Sequence, residues 1–218
     1  MQLQSCHLAG QTYVVIQRAA NCGDAFYDNA CYRFYLVRLL NSVRQCQVRL
    51  HAYCLLANEV ILLLTPDTPF AISSLLQSVN SQYRRYYQQR FERDVDVWAG
   101  SRKSSLIQGQ ALIVDCQKYI ERLPIDHGIT EHAGEHEWSS YCANAFGIRY
   151  PNVARHPGVD AFLKIPDRPF RAYRDFIARP FTRAYRDYLQ RKLQSGQPPA
   201  IHRQKLVRPK ASRKLCGN

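Results

Sequence analysis

The segment at positions 51–66 contains side chains that could take part in metal binding or catalysis. This segment has two apolar runs on either side of Ala57 and Asn58, which predicts a β-hairpin with a tight turn. Because side chains alternate between the faces of a strand, Glu59 and Ile61 share one face of the second strand. The carboxylate of Glu59 could bind a hard divalent cation, whereas the side chain of Ile61 offers no ligand atom.

A second segment whose side chains could take part in a reaction spans positions 118–121 and contains Tyr119 and Glu121. The pattern around Tyr119 is that of a helix packed on a sheet, which by itself predicts a core tyrosine. Glu121 follows two residues later and points to a different side of the helix, away from a shared pocket with Glu59. The residues on the helical face of Tyr119 are Leu112, Cys116 and Leu123.

Tyrosine and arginine are interleaved at positions 83–87, within a helix predicted over residues 70–91. Proteins that bind single strands combine such basic side chains with aromatic faces. Tyr83 and Tyr87 also fit the apolar stripe of the helix, so core packing is a competing interpretation. The basic residues predicted to contact DNA are Arg84, Arg85, Arg90, Arg102, Lys103, Lys118, Arg208, Lys210, Arg213 and Lys214.

The charge of the chain indicates a polyanionic partner. Its 218 residues include 30 Lys and Arg against 17 Asp and Glu, which gives a net charge of +13. Nucleic acid is the simplest partner for this charge, and an anionic membrane surface is the weaker alternative. Solubility alone is the competing explanation of the excess charge.

The eight cysteines do not form a metal-binding or secreted framework. No CxxC pair is present, so a structural zinc site is not expected. The first residues lack a basic region followed by an apolar one, and no apolar run approaches the ~20 residues of a membrane span. We expect a reduced, soluble protein of the cytoplasm, a location compatible with association with a bacterial nucleoid.

The hydrophobic periodicity predicts strands and helices in turn along the chain. Pro124 is predicted to end the last helix of the main domain. Residues 94–104 are predicted to be irregular, and 124–158 to form loops and short elements. His51 is expected to be structural. The predicted strands cover 12–18, 48–56 and 59–65, and the predicted helices 31–45, 70–91, 111–123 and 170–193.

The composition predicts a boundary near residue 165, with a DNA-binding domain over 1–165 and a helical segment with a basic tail over 166–218. Residues 191–218 contain eight Lys or Arg and no Asp or Glu. Such a stretch is typical of an arm that neutralises phosphates without reading sequence. A merely solvated tail is the alternative.

Five short motifs follow one another along the chain, in addition to the hairpin described above. They lie at residues 15–18 (VIQR), 50–53 (LHAY), 97–106 (VWAGSRKSSL), 118–124 (KYIERLP), and 138–145 (WSSYCANA). In these motifs and their order, residues 12–163 resemble the REP-associated tyrosine transposases, a family that cuts single-stranded DNA.

The resemblance implies a ferredoxin-like α/β fold, with helices packed on an antiparallel sheet and a helical basic extension at the carboxyl end. It also implies that Tyr119 is the nucleophile, which becomes linked to a 5′ phosphate. A phenol has a pKa near ~10, so this attack needs the help of a bound cation. In the family two histidines and a polar residue hold that metal, and here Glu59, Ile61 and Leu123 occupy those positions.

The loss of three ligand positions favours a transposase-like protein that binds single-stranded or hairpin DNA without cleaving it and needs no cofactor. The rival hypothesis is an active transposase or nickase that uses Tyr119 with Mg²⁺ or Mn²⁺ at a site rebuilt around Glu59. A third hypothesis is a module that binds protein or RNA. No membrane partner is expected, and a homodimer is left open.

Overall fold

A computed structural model describes residues 6–20, 23–93, 96–98, 102–163 and 169–200. The strands are β1 (Thr12–Arg18), β2 (Val48–Leu56), β3 (Glu59–Pro66) and β4 (Arg102–Ile107). The helices are α1 (Asn29–Gln45), α2 (Ala71–Phe91), α3 (Gln110–Asp126), α4 (Tyr141–Phe146), α5 (Pro157–Leu163), α6 (Pro169–Ala178) and α7 (Arg183–Ser195). No helix in the described ranges is long and apolar enough to cross a membrane.

The four strands form one antiparallel sheet in the order β2-β3-β1-β4. With α1 between β1 and β2, and α2 between β3 and β4, the chain follows the βαββαβ order of a ferredoxin-like fold. The predicted α/β class and antiparallel sheet are therefore confirmed. Every residue of β3 is buried, as expected for a strand that is paired on both sides and covered on both faces.

Helices cover both faces of the sheet, and strand alternation decides which residues meet them. Tyr13 and Val15 of β1 pack with α1 and α2, whereas Val14 and Ile16 pack with α3 and α7. The two faces thus enclose two apolar clusters on opposite sides of one sheet. Helix α7, from the segment after residue 165, contacts β1, β4 and α3. The predicted boundary falls within 164–168, outside the described residues, and stays a prediction.

Three predictions about elements were wrong, each for its own physical reason. Residues 102–104 belong to β4, whose polar start lies at the sheet edge, where charged side chains are favoured. Pro124 lies inside α3: its missing N–H removes one intrahelical bond, and the amide of His127 still donates to the carbonyl of Leu123. The helix predicted over 170–193 is two helices, and Thr182 caps the second by accepting from the amide of Tyr185.

The edge strand β2 is covered by a later segment and contains an irregularity at His51. The register of β2 against β3 shifts between Leu50 and Ala52, so His51 is the extra residue. Because a carbonyl can only accept, Nδ1 of His51 donates to the carbonyl oxygen of Ala154 at 2.7 Å. Its Nε2 lies 2.8 Å from the hydroxyl of Thr65. The expectation that His51 is structural is confirmed.

The stability of the fold should depend on the neutral state of His51. Burial is the main cause that lowers the pKa of His51 to about 4, and His156 and Arg49 add to this effect. Since the unfolded chain then binds more protons, the free energy of unfolding should fall by about 3 kcal/mol as the pH drops from 7 to 4. Burial also lowers the pKa of His156, which acts in the same direction.

Urea unfolding at a series of pH values checks this prediction, with His51→Gln as the comparison. The variant lacks one titrating group, so its stability should fall less steeply than that of the wild type between pH 6.5 and 4. Parallel curves for the two proteins would contradict the assignment of a buried neutral imidazole.

Candidate functional site

The three positions singled out for chemistry on β3 and α3 converge on one sheet face. Ile61, Leu123 and Tyr119 are 1%, 3% and 4% exposed and belong to the same apolar cluster. We call Ile61, Tyr119, Leu123 and Glu59 the Tyr119 site. The hairpin register and the helical face predicted for Tyr119 are confirmed by this arrangement.

Glu59, the remaining polar member of the Tyr119 site, is occupied by a neighbour on β1. Arg18 is its direct cross-strand partner, and Nε of Arg18 lies 2.7 Å from Oε1 of Glu59. The Glu59 side chain is mostly buried, whereas that of Arg18 is about half exposed. A charge-assisted hydrogen bond of this length gives the carboxylate a strong donor, and the positive charge of Arg18 compensates its negative charge.

The surroundings of Tyr119 oppose formation of a phenolate. Burial is the main cause that raises the pKa of Tyr119 well above its usual range, and the nearby Glu59 carboxylate raises it further. The guanidinium of Arg18 lowers the pKa of Tyr119 but does not offset these effects. A neutral, weakly nucleophilic phenol is the result.

The Tyr119 site does not fit a divalent metal ion. Hard cations such as Mg²⁺ need several oxygen ligands, and the side chains of Ile61 and Leu123 are aliphatic. The carboxylate of Glu59 is already paired with Arg18. Among the described residues, no group of three or more His, Cys, Asp and Glu side chains could hold a metal ion.

Glu121 is fully buried on a different side of α3 from Tyr119, as predicted, and it joins several elements. Its Oε1 accepts from the hydroxyl of Ser140 at 2.8 Å and from the amide of Asn144 at 2.7 Å. Its Oε2 accepts from the hydroxyl of Tyr173 at 2.7 Å. Burial raises the pKa of Glu121, and these three hydrogen bonds partly offset that effect.

The donors around Glu121 also connect to β2. The hydroxyl of Ser140 accepts from the backbone amide of Tyr53 at 3.0 Å, and the amide of Asn144 donates to the carbonyl of His51 at 3.2 Å. Two motifs that mark the family resemblance, around Glu121 and around Ser140 and Asn144, therefore meet as one structural network. Glu121 holds helices in place and is not a ligand of the Tyr119 site.

The predicted DNA contacts are distributed over both sides of the sheet. Arg84 and Arg85 are exposed on α2, which covers the face opposite the Tyr119 site. Arg102 and Lys103 are exposed on β4, opposite Gln17 and Ile16 of β1. They therefore lie at the end of the sheet that carries Arg18 and Glu59. The four predicted tail contacts, at positions 208, 210, 213 and 214, lie outside the described residues.

Among the described residues predicted to contact DNA, Arg90 and Lys118 make clear contacts within the chain. Arg90 contacts the hydroxyl of Tyr86 and pairs with the Asp28 carboxylate at 2.5 Å. Lys118 is 5% exposed, and its ammonium lies 4.4 Å from the ring centre of Phe176 and 4.6 Å from that of Phe181. Burial is the main cause that lowers the pKa of Lys118 to about 8. This enclosure argues against a phosphate contact by Lys118.

The tyrosines of α2 divide between core and surface. Tyr83 and Tyr87 are 0% and 4% exposed, so the core interpretation holds for them, and the hydroxyl of Tyr83 donates to the carbonyl of Ala25 at 2.5 Å. Tyr86 is half-buried and presents part of its ring to the surface. Only this tyrosine of the three offers an accessible aromatic face.

Comparisons with known proteins establish the type of fold. No protein-family model matches the sequence, and no curated protein matches it. Among solved structures, the chain is similar to a REP-associated tyrosine transposase bound to a REP hairpin, with a TM-score of 0.56 and 14% identity over 72% of this chain and 92% of that chain. A proposed transposase from Deinococcus radiodurans R1 gives a TM-score of 0.38 and 17% identity, over 56% and 97% of the two chains. The first similarity defines a transposase-like fold.

Two contacts that shape the site were not predicted from the sequence. Arg18 was not recognised as the partner of Glu59, although both flank the predicted strands and cross-strand pairing would have brought them together. Tyr173 was not connected with Glu121, from which it is separated by 52 positions in the chain. No local signal in the sequence marks a contact over that distance.

Shape and charge at position 121 should have separable effects on stability. Glu121→Ala removes the acceptor of three buried donors, and we expect it to cost about 3–5 kcal/mol of unfolding free energy. Glu121→Gln keeps a carbonyl acceptor and removes a buried charge, so its cost should be about 1–2 kcal/mol. Urea unfolding of both variants checks the order, and equal losses would contradict the network.

Proposed function

We propose that this chain is a transposase-like protein that binds single-stranded or hairpin DNA and does not cleave it. The observation that carries the proposal is the filling of the Tyr119 site by Ile61 and Leu123, with Glu59 held by Arg18. The chain combines this site with a net charge of +13, which suits a phosphate backbone. In this proposal the protein is a pseudoenzyme that needs no metal cofactor.

The absence of cleavage follows from what a tyrosine nucleophile requires. Attack on a phosphodiester at neutral pH needs either an activated phenol or a cation that polarises the phosphate. Burial and the Glu59 carboxylate both disfavour the ionised form of Tyr119. The aliphatic side chains at positions 61 and 123 remove the ligands of a cation. Both routes to an activated reaction are thus weakened at the same place.

The binding of DNA rests on accessible basic residues and on the fold. Arg84, Arg85, Arg102 and Lys103 are exposed, so their charges are accessible to phosphates. The structural neighbour with the same type of fold was bound to a REP hairpin. Hairpin DNA with an unpaired flank is therefore the first substrate to test.

We expect salt-sensitive binding of a hairpin-bearing single strand, without a covalent product. The purified protein is incubated with labelled DNA, with and without Mn²⁺, and analysed on native and denaturing gels beside Tyr119→Phe. The native gel should show a complex for both proteins. The denaturing gel should show no protein-linked DNA, because burial and Glu59 disfavour the phenolate of Tyr119 and its neighbours Ile61 and Leu123 offer no ligand to a cation.

The same gels separate the competing functions. A covalent band that needs Mn²⁺ and is lost in Tyr119→Phe would contradict the proposal and support an active transposase or nickase. The absence of any salt-dependent complex with DNA would contradict the binding function and favour a protein or RNA partner.

Restoring the ligands should restore metal binding. The variant Glu59→His/Ile61→His/Leu123→Gln places two imidazoles and an amide on the face that holds Tyr119. We expect it to bind Co²⁺, with visible absorption bands and a raised melting temperature, whereas the wild type shows neither. A control, Glu59→Gln/Ile61→Asn/Leu123→Gln, has similar polarity without imidazoles. Equal responses of the two variants would show that the three positions do not form a site.

A further inference from the structure

A groove between α1 and α2 has no role in the function proposed above. Its volume is about 460 Å³, which is within the range of small-molecule sites. Arg33, Phe34, Val37 and Arg38 of α1 line one side, and Tyr86 of α2 lines the other. Among the described residues, those that line the groove include no carboxylate, and the nearest one in sequence is Asp28, next to Asn29.

The apolar residues of the groove exceed what packing on the sheet requires. Helix α1 already buries a full stripe against the sheet: Cys31, Tyr35, Leu39 and Val43 are each at most 1% exposed. Phe34 and Val37 form a second apolar stripe beside it, and Val37 is 47% exposed. One stripe is enough to hold a surface helix, so the second is available to a ligand.

The aromatic residues of the groove are arranged as a stack with a guanidinium at each ring. The ring centres of Phe34 and Tyr86 are 4.0 Å apart, and the rings are inclined by 13°. The guanidinium carbon of Arg38 lies 4.9 Å from the centre of Phe34, and that of Arg90 lies 5.8 Å from the centre of Tyr86. Planar aromatic and guanidinium groups are the surfaces on which unpaired bases stack.

We propose that this groove, which we call the stacking groove, binds unpaired bases of single-stranded DNA. The inference rests on the proposed function and assigns the unpaired part of the DNA to Phe34 and Tyr86. Arg33 and Arg38 would bind the adjoining phosphates. The positive charge of the groove favours a polyanion over an uncharged apolar ligand. The nearby carboxylate of Asp28 does not repel it, because Asp28 caps α1 and pairs with Arg90.

The test compares a hairpin that carries a single-stranded tail with the same hairpin without a tail. In Phe34→Leu/Tyr86→Leu, we expect affinity for the tailed hairpin to fall about tenfold, with little change for the blunt hairpin. A 2-aminopurine base in the tail should be quenched by the wild type and less by this variant. Thermal melting confirms that the variant is folded, since both rings are only half-buried.

Arg38→Gln provides a second variant that leaves the stacked pair in place. We expect it to weaken binding of the tailed hairpin and to reduce the slope of affinity against salt by about one phosphate contact. Arg49→Gln is the matched control and removes the same charge. Arg49 lies on β2, not on a helix of the groove, and forms an exposed ion pair with Asp67. It should behave like the wild type.

The outcomes distinguish this inference from the function on which it rests. If the wild type binds neither hairpin in a salt-dependent way, the proposed function and the stacking groove both fail. If the wild type binds the tailed hairpin but both groove variants match Arg49→Gln, only the stacking groove is overturned. Tighter binding of an RNA tail of the same sequence, lost in the groove variants, would overturn the assignment to DNA.

Discussion

The carboxylate of Glu121 is fully buried, and such a group must be held by donors from the protein. It receives them from Ser140, Asn144 and Tyr173, which belong to separate parts of the chain. Two of these donors also bond to the backbone of β2. One charge therefore fixes α3 relative to the edge of the sheet and to α4 and α6. Every side chain on α3 depends on that placement, including Tyr119.

The placement of α3 accounts for the contrast between Glu121 and Tyr119. Glu121 is surrounded by donors, whereas Tyr119 faces the apolar side of the sheet with Ile61 and Leu123. The fold is similar to that of a transposase, while the surroundings of Tyr119 favour packing. At the Tyr119 site, the carboxylate of Glu59 forms an ion pair with Arg18. Binding and cleavage are separable in such a molecule, because phosphate contacts do not need the tyrosine.

Much of the fold could be predicted from the sequence because its signals are local. The hairpin around Ala57 and the face of Tyr119 follow from periods of two and 3.6 residues. Strand β4 escaped prediction because its polar residues suit an edge strand, where pairing with β1 compensates for weak propensity. Lys118 was predicted to contact DNA from its charge alone, and only the fold places it between two phenyl rings.

The site was less predictable than the fold because its contacts join distant segments. The positions of Glu59, Ile61 and Leu123 could be inferred from the family resemblance, but the pairing of Glu59 with Arg18 required the register of β1 against β3. The stacked pair of Phe34 and Tyr86 required the packing of α1 on α2. Neither contact has a signature within a short window of sequence.

Electron paramagnetic resonance of Mn²⁺ titrated with the wild-type protein shows whether a metal ion binds beside Tyr119. We expect the spectrum of free Mn²⁺ to persist at protein excess, and Glu59→Gln to give the same result, because Glu59 is held by Arg18 and its neighbours are aliphatic. Stoichiometric loss of the free signal in the wild type, reversed in Glu59→Gln, would contradict this expectation. Such a result would show a working metal site beside Tyr119.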